Sequence, residues 1–195
     1  MLNRGSNFNV GIKSDIKRRK PEGIKDYLAL AVTTVGVGYL PLAPGTWGSL
    51  VAVLIYTVLA SAFTSYRYAP SITDPQFLVA AIHAVILIVF LLFSLLGVWA
   101  AGRATELLGN SDPSEAVVDE VIGQLIVFLF IPFTTSWWLI GSGFLLFRLF
   151  DIWKPYPIDY LQVLPGGIGV CADDILAGVY AGVCLSIIYA IGLSI

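Results

Sequence analysis

The sequence predicts an all-α fold, a polytopic membrane protein with four to six membrane helices. Two observations carry that prediction. Of the 195 residues, 57% are hydrophobic and only 12% are charged, with a mean hydropathy of +0.85. Soluble domains are about one quarter charged, so water-facing groups cannot cover this surface. The apolar residues also fall in long runs, and roughly 20 residues rising 1.5 Å each cross the ~30 Å hydrocarbon core. The net charge of −2 conceals an asymmetry, since seven of the 11 Lys and Arg precede residue 26.

Residues 1–25 are therefore a basic, flexible cytoplasmic leader, and residues 26–195 form one membrane domain. The leader and the apolar stretch after it mimic a signal peptide. Pro41 and Pro44 flank its only small-residue cleavage site, so it is expected to be retained. Residues 26–40 are apolar but Gly-rich and suit a short or re-entrant helix. Clear spans follow at 47–63 and 77–101. Residues 117–133 and 136–150 form a pair broken by Pro132 and Thr134-Thr135-Ser136, and 174–195 is the last span. Cys171 and Cys184 have no C-x-x-C spacing and no His partners, so they are expected to be small apolar residues.

Positive residues stay cytoplasmic, which orients the chain and places the span ends at 47, 117, 150 and 174 on one side. Every unusual motif lies at one of those points: PLAPGTWGS (41–49), VVDE (117–120), FRLFDIWKPYP (147–157) and GGIGVCADD (166–174). The outward loops offer little beyond Arg67 and Asp74. Polar chemistry thus converges on the cytoplasmic interface.

Asp119, Glu120, Asp151, Asp173 and Asp174 are the converging acids. Clustered carboxylates in a low-dielectric edge need a cation, and an all-oxygen donor set without His or Cys suits Mg²⁺ or Mn²⁺. One metal and two are both open. Arg148 lies one helical turn before Asp151, and Lys154 follows three residues after it. An Arg fork and a Lys point charge beside a metal can clamp a phosphate. Gly45 and Thr46 in APGTWGS, and the PGGIG segment, are candidate tight turns whose N–H groups reach phosphate oxygens.

Simpler roles compete with these. Asp119 and Asp173 can cap the spans starting at 117 and 174, and Asp151 can be ion-paired with Arg148 or Lys154. Trp99, Trp137, Trp138 and Trp153 suit interfacial anchors, and Gly178 and Gly182 suit helix packing. Asp159 is expected to be solvated, and Glu106, Asp112 and Glu115 to form a polar loop. His83, the only histidine, falls mid-span away from the acids and is expected to be packed or hydrogen-bonded. Its isolation excludes a histidine-nucleophile phosphatase. No Asp-x-Asp start on a soluble α/β pattern is present, and Cys171 has only acids for neighbours, which disfavours a thiolate.

The motifs PLAPGTWGSL, VVDEVIG, FRLFDIWKPYPI and GGIGVCADDILAG, in this order from about residue 27 onward, resemble the phosphatidylglycerophosphatase A family. The resemblance implies a bacterial inner-membrane, multi-pass enzyme whose site faces the cytoplasm. It implies Mg²⁺-dependent removal of the terminal phosphate of phosphatidylglycerophosphate, giving phosphatidylglycerol. Asp119, Glu120, Asp151, Asp173 and Asp174 would be metal ligands. Asp119, Glu120, Arg148 and Lys154 would be catalytic, with Arg148, Lys154, Gly45 and Thr46 on the substrate. One acid, Asp119 or Glu120, would take the proton of a metal-activated water. Being adjacent, these two point about 100° apart on a helix, so a split of roles is expected. Some members of the family carry His where this chain has Gly102, so no histidine base is assigned. Lipid substrate and membrane are the implied partners, no nucleic acid is expected, and the oligomeric state stays open. The rivals are a small cation transporter or channel with an acidic mouth and a lipid-phosphate transferase. The latter lacks its D-G-x-x-A-R signature here.

Overall fold

The computed structural model describes residues 16, 18–67 and 75–193. Most of the basic leader and the loop carrying Asp74 lie outside the described residues. Seven helices and no strand occur among them: α1 (Ile24–Thr34), α2 (Pro44–Arg67), α3 (Pro75–Leu108), α4 (Val118–Phe128), α5 (Trp137–Trp153), α6 (Ile158–Leu161) and α7 (Gly166–Gly192). The all-α expectation holds.

Three helices are long and apolar enough to cross a membrane, within Pro44–Tyr66, Gln76–Leu108 and Gly166–Gly192. That is fewer than the four to six expected, because hydropathy detects apolarity and not where a helix stops. The expected span 117–133 is helical only over 11 residues, a rise of about 16 Å. The chain then leaves the helix ahead of Pro132, whose ring disfavours helical backbone in the residue before it. Backbone freed by this break finds side-chain acceptors. The Thr134 N–H donates to the Tyr56 hydroxyl at 3.1 Å, and the Ser136 N–H to Thr134 Oγ1 at 3.1 Å. The 17 residues of α5 rise about 25 Å, just short of a full crossing.

Helix α4 sits at the centre, packed on α7 and α2, while α5 and α3 also pack on α7. One apolar cluster joins Tyr56, Phe128, Phe147 and Leu185, and a second joins Ala101, Ile122, Val170 and Cys171. Both cysteines are free. Glycine sets the helix separations. A Cβ on Gly178 would lie 2.3 Å from the Gly123 carbonyl oxygen, so α4 and α7 cross backbone to backbone. Likewise a Cβ on Gly167 would lie 1.8 Å from the Val98 oxygen, where α7 starts against α3. Gly102 faces Gly167 at the same crossing, which leaves no room for a side chain there.

Helix α1 ends where Val35 and Gly36 turn left-handed, at φ 49° and 75°. Its first turn is tied to the end of α3. Buried Asp26 accepts from Arg103, from Arg19 at 3.1 Å and from the Glu22 N–H at 2.8 Å. Its last turn is tied to the residue before α4, since the Val117 N–H donates to the Thr33 carbonyl at 2.9 Å. Both ends of α1 therefore stay where α3 ends and α4 begins. Residues 18–22 lie against this end too, with the Arg19 N–H on the Glu106 carbonyl at 3.0 Å. Within the expected flexible leader, this stretch is docked.

Candidate active site

Four helix ends meet at one place: the starts of α2 and α4, the end of α5 and the first three turns of α7. On α4, Asp119 and Glu120 lie in the first turn. On α7 the helix begins at Gly166, so Asp173 and Asp174 lie inside it, as its eighth and ninth residues. This removes the capping role considered for Asp173. The glycines thought to form a phosphate-binding turn at 166–169 are helical and pack against α3 and the preceding loop.

Carboxylate oxygens of Asp119, Glu120 and Asp174 all lie within 4.8 Å of one another. Adjacency on α4 was expected to keep Asp119 and Glu120 apart; instead both reach one point. A Cβ on Gly123 would lie 2.5 Å from the Asp174 carbonyl oxygen, so the glycine crossing of α4 and α7 brings the three acids together. Asp119 and Asp174 are buried. The buried oxygens Asp119 Oδ1 and Glu120 Oε2 have no hydrogen-bond partner.

The other two acids are differently employed. Asp151 pairs with Arg148 at 2.7 Å and lies 4.0 Å from Lys154. Asp173 accepts from Lys154 at 2.5 Å and from the Gln162 amide at 2.8 Å. Burial opposes the Lys154 charge. The hydrogen bond to Asp173, with Asp174 and Asp151 nearby, outweighs this and raises its pKa above the ordinary lysine value. Arg148 Nη1 contacts Asp151 as an ion pair, but its N–H directions miss the carboxylate, leaving a buried donor without a hydrogen bond.

The start of α2 closes the site. A Cβ on Gly45 would lie 1.9 Å from Glu120 Oε1 and 3.2 Å from Arg148 Nη1, so a side chain there would displace Glu120. Glu120 thus faces the first turn of α2, where the helix dipole favours negative charge, although the Thr46 N–H itself donates to the Ala43 carbonyl at 3.0 Å. Thr46 follows on that turn, half-buried. The preceding Leu42 and Ala43 both hold left-handed backbone, at φ 65° and 59°.

All five predicted acids, Arg148, Lys154 and Gly45 therefore gather at one end of the bundle. Asp159 is exposed on α6, as expected. His83 is away from the site, its Nδ1 2.7 Å from the Val79 carbonyl and its ring against Phe63 and Phe133. Trp137, Trp138 and Trp153 are exposed at the ends of α5. Two polar residues escaped notice in the sequence. Gln162 holds Asp173. Gln124, one turn after Glu120, is fully buried with both amide atoms unpartnered. Each is a lone amide in an apolar stretch, which was the available signal.

Three close carboxylates, two of them with an orphaned oxygen and none ion-paired among the described residues, are a donor set that suits a hard divalent cation such as Mg²⁺ or Mn²⁺. Beside them stand two cations, one with a free donor. They converge on one point and do not encircle a path through the bundle.

The phosphatidylglycerophosphatase A family profile matches residues 30–189. A Bacteroides thetaiotaomicron protein provisionally named a phosphatidylinositol-3-phosphatase is 37% identical over 156 residues, covering 80% of this chain and 89% of the relative. The phosphatidylglycerophosphatase A of Haemophilus influenzae is 36% identical over 147 residues, covering 75% of this chain and 78% of that one. That of Escherichia coli is 32% identical over 158 residues, covering 80% and 78%. No solved structure matches the chain. Family match and clustered site agree: this chain belongs to the phosphatidylglycerophosphatase A family of lipid phosphatases.

Proposed function

We propose that this protein hydrolyses the terminal phosphate monoester of phosphatidylglycerophosphate, releasing phosphate and phosphatidylglycerol, at the cytoplasmic face of the bacterial inner membrane. The observation that carries this reading is the meeting of Asp119, Glu120 and Asp174 within 4.8 Å, beside Arg148 and Lys154, in a chain of this family. Docking of Arg19 beside Asp26 at the same end supports a cytoplasmic site, because basic segments stay inside.

Asp119, Glu120 and Asp174 would hold Mg²⁺, with Mn²⁺ as a substitute, and Asp151 and Asp173 would stand behind them. When bound, the cation offsets phosphate charge and makes water more acidic. Arg148 offers its free N–H to a non-bridging phosphate oxygen, and the Gly45 N–H and the Thr46 hydroxyl at the start of α2 flank it. Lys154, with three donors, keeps Asp173 in place and faces the phosphate with those remaining. Asp119 or Glu120, through a carboxylate oxygen not on the cation, would take the proton as the water oxygen bonds to phosphorus. The bond from phosphorus to the glycerol oxygen breaks, and that oxygen is protonated at the solvent edge.

The name of the Bacteroides relative favours a second reading, in which the monoester sits on an inositol ring. Phosphate release from both lipids by the purified protein, with Mg²⁺ and with EDTA, decides between them. Faster release from phosphatidylglycerophosphate, lost in EDTA and in Asp174→Asn, is expected. Faster release from the inositide would replace the substrate, and no release from either by folded protein would end the phosphatase reading.

A further inference from the structure

Among the described residues, α2 and α3 do not pack along one another. Between them lies a cavity of about 620 Å³, closed on its third side by α4 and the segment after it. Its walls include Ile55 and Leu59 of α2, Val89 and Phe93 of α3, and Leu125 and Phe128 of α4. Tyr56 and His83 also line it, with the Tyr56 hydroxyl engaged by Thr134 and His83 Nδ1 by Val79. The acids have no part in the lining, so the mechanism above leaves this cavity unused.

Its depth is informative. On α4 the lining begins at Leu125, five residues beyond Glu120, which is about 7.5 Å further along the helix. On α3 it runs from His83 to Phe93, about 15 Å of helix. One leaflet of a ~30 Å hydrocarbon core has that same depth. In phosphatidylglycerophosphate the phosphate at the acids is followed by a glycerol, a phosphodiester and the esterified glycerol. These cover the interval to the lining, about 15 Å along α2 from Gly45 to Ile55, and the acyl carbons follow along the α3 wall. Ile55, Val89 and Leu129 are exposed, so a chain can enter sideways from the bilayer.

We propose that this cavity seats one acyl chain of the lipid substrate while the phosphate lies among Asp119, Glu120 and Asp174. The proposal rests on the phosphatase reading and adds a chain-length requirement to it. A second copy of this chain is the other candidate occupant. Alignment of the cavity with the site along α4 favours the lipid, because a protein partner has no need of that register.

The test compares dihexanoyl with dioleoyl phosphatidylglycerophosphate, using the full-length protein in detergent micelles. Six-carbon chains end before they fill the cavity, so the short lipid reports the chemistry alone. Val89→Trp fills the cavity from an exposed position, and Ile55→Trp fills it from the opposite wall. Leu92→Trp, exposed on α3 and outside the lining, is the control. Displacing a few buried methylenes should lower kcat/KM for the dioleoyl lipid at least about tenfold in the two filling variants. Dihexanoyl turnover should stay within about twofold, and the control should change neither. Equal loss on both lipids, or no loss in either filling variant, would overturn the proposal while wild-type turnover of the short lipid keeps the phosphatase. A change of oligomeric state in both filling variants, with lipid preference unchanged, would assign the cavity to a second copy. Wild-type protein that cleaves neither lipid would sink the phosphatase reading itself.

Discussion

Asp174 is a buried carboxylate within 4.8 Å of two others. The ion pairs nearby all go to Asp151 and Asp173. Without a cation, three such carboxylates repel one another. Asp174→Asn is therefore expected to abolish phosphate release while raising Tm in metal-free buffer. Mg²⁺ at a hundredfold excess over its Kd should stabilise the wild type by about 2.7 kcal/mol and leave this variant unmoved. Thermal melts with and without Mg²⁺ check both. Asp173→Asn should behave differently, losing stability because the half-buried Lys154 loses its charged partner. Gln124 offers another check. Both its buried amide atoms lack partners, and each such group costs about 1–3 kcal/mol. Gln124→Leu should raise Tm, and an unchanged or lower Tm would mean that the amide is satisfied in the membrane.

At the scale of elements, the site depends on how closely α4 and α7 approach. Gly123 and Gly178 face each other there, and a Cβ on Gly178 would lie 2.3 Å from the Gly123 oxygen. Gly178→Ala must push the helices apart, costing about 1–3 kcal/mol by overpacking. Asp174 would move from Asp119 and Glu120, so activity should fall more than stability. Phosphate release measured well below the variant's own Tm separates the two effects. GVYAG was readable in the sequence as a packing motif. Its consequence for the site was not, because a spacing of small residues does not name the helix that lies against it. The Arg148–Asp151 pair was fully legible, since three residues on one helix fix it. The start of α7 was hidden because Gly166, Gly167 and Gly169 look like a loop, although at least Gly167 is there to let α3 approach.

At the scale of the whole molecule, Asp26 ties leader, α1 and α3 together. The Glu22 amide first, and then Arg103 and Arg19, favour its ionised form against the cost of burial and bring its pKa down to about 2. A carboxyl depressed below its unfolded value of about 3.9 stabilises the fold above that pH. The contribution is lost as pH falls from about 4 through about 2. Asp26→Asn should lower Tm at pH 7 and flatten the acid limb of the stability curve. A variant that keeps the wild-type acid limb would move that titration to another carboxyl.

Composition determined that this is a membrane protein, since so few charges cannot cover a water-facing surface, and the length of its apolar runs determined that it is all-α. Motif order identified the family, and it named the five acids, Arg148, Lys154 and Gly45 as belonging to one site. Only the tertiary structure divided those acids into three that converge and two that are ion-paired. Which carboxylates share a point depends on helix starts and on the distance of closest approach between helices. Those quantities come from glycines on different helices meeting in space, and no local pattern along the chain encodes such a meeting.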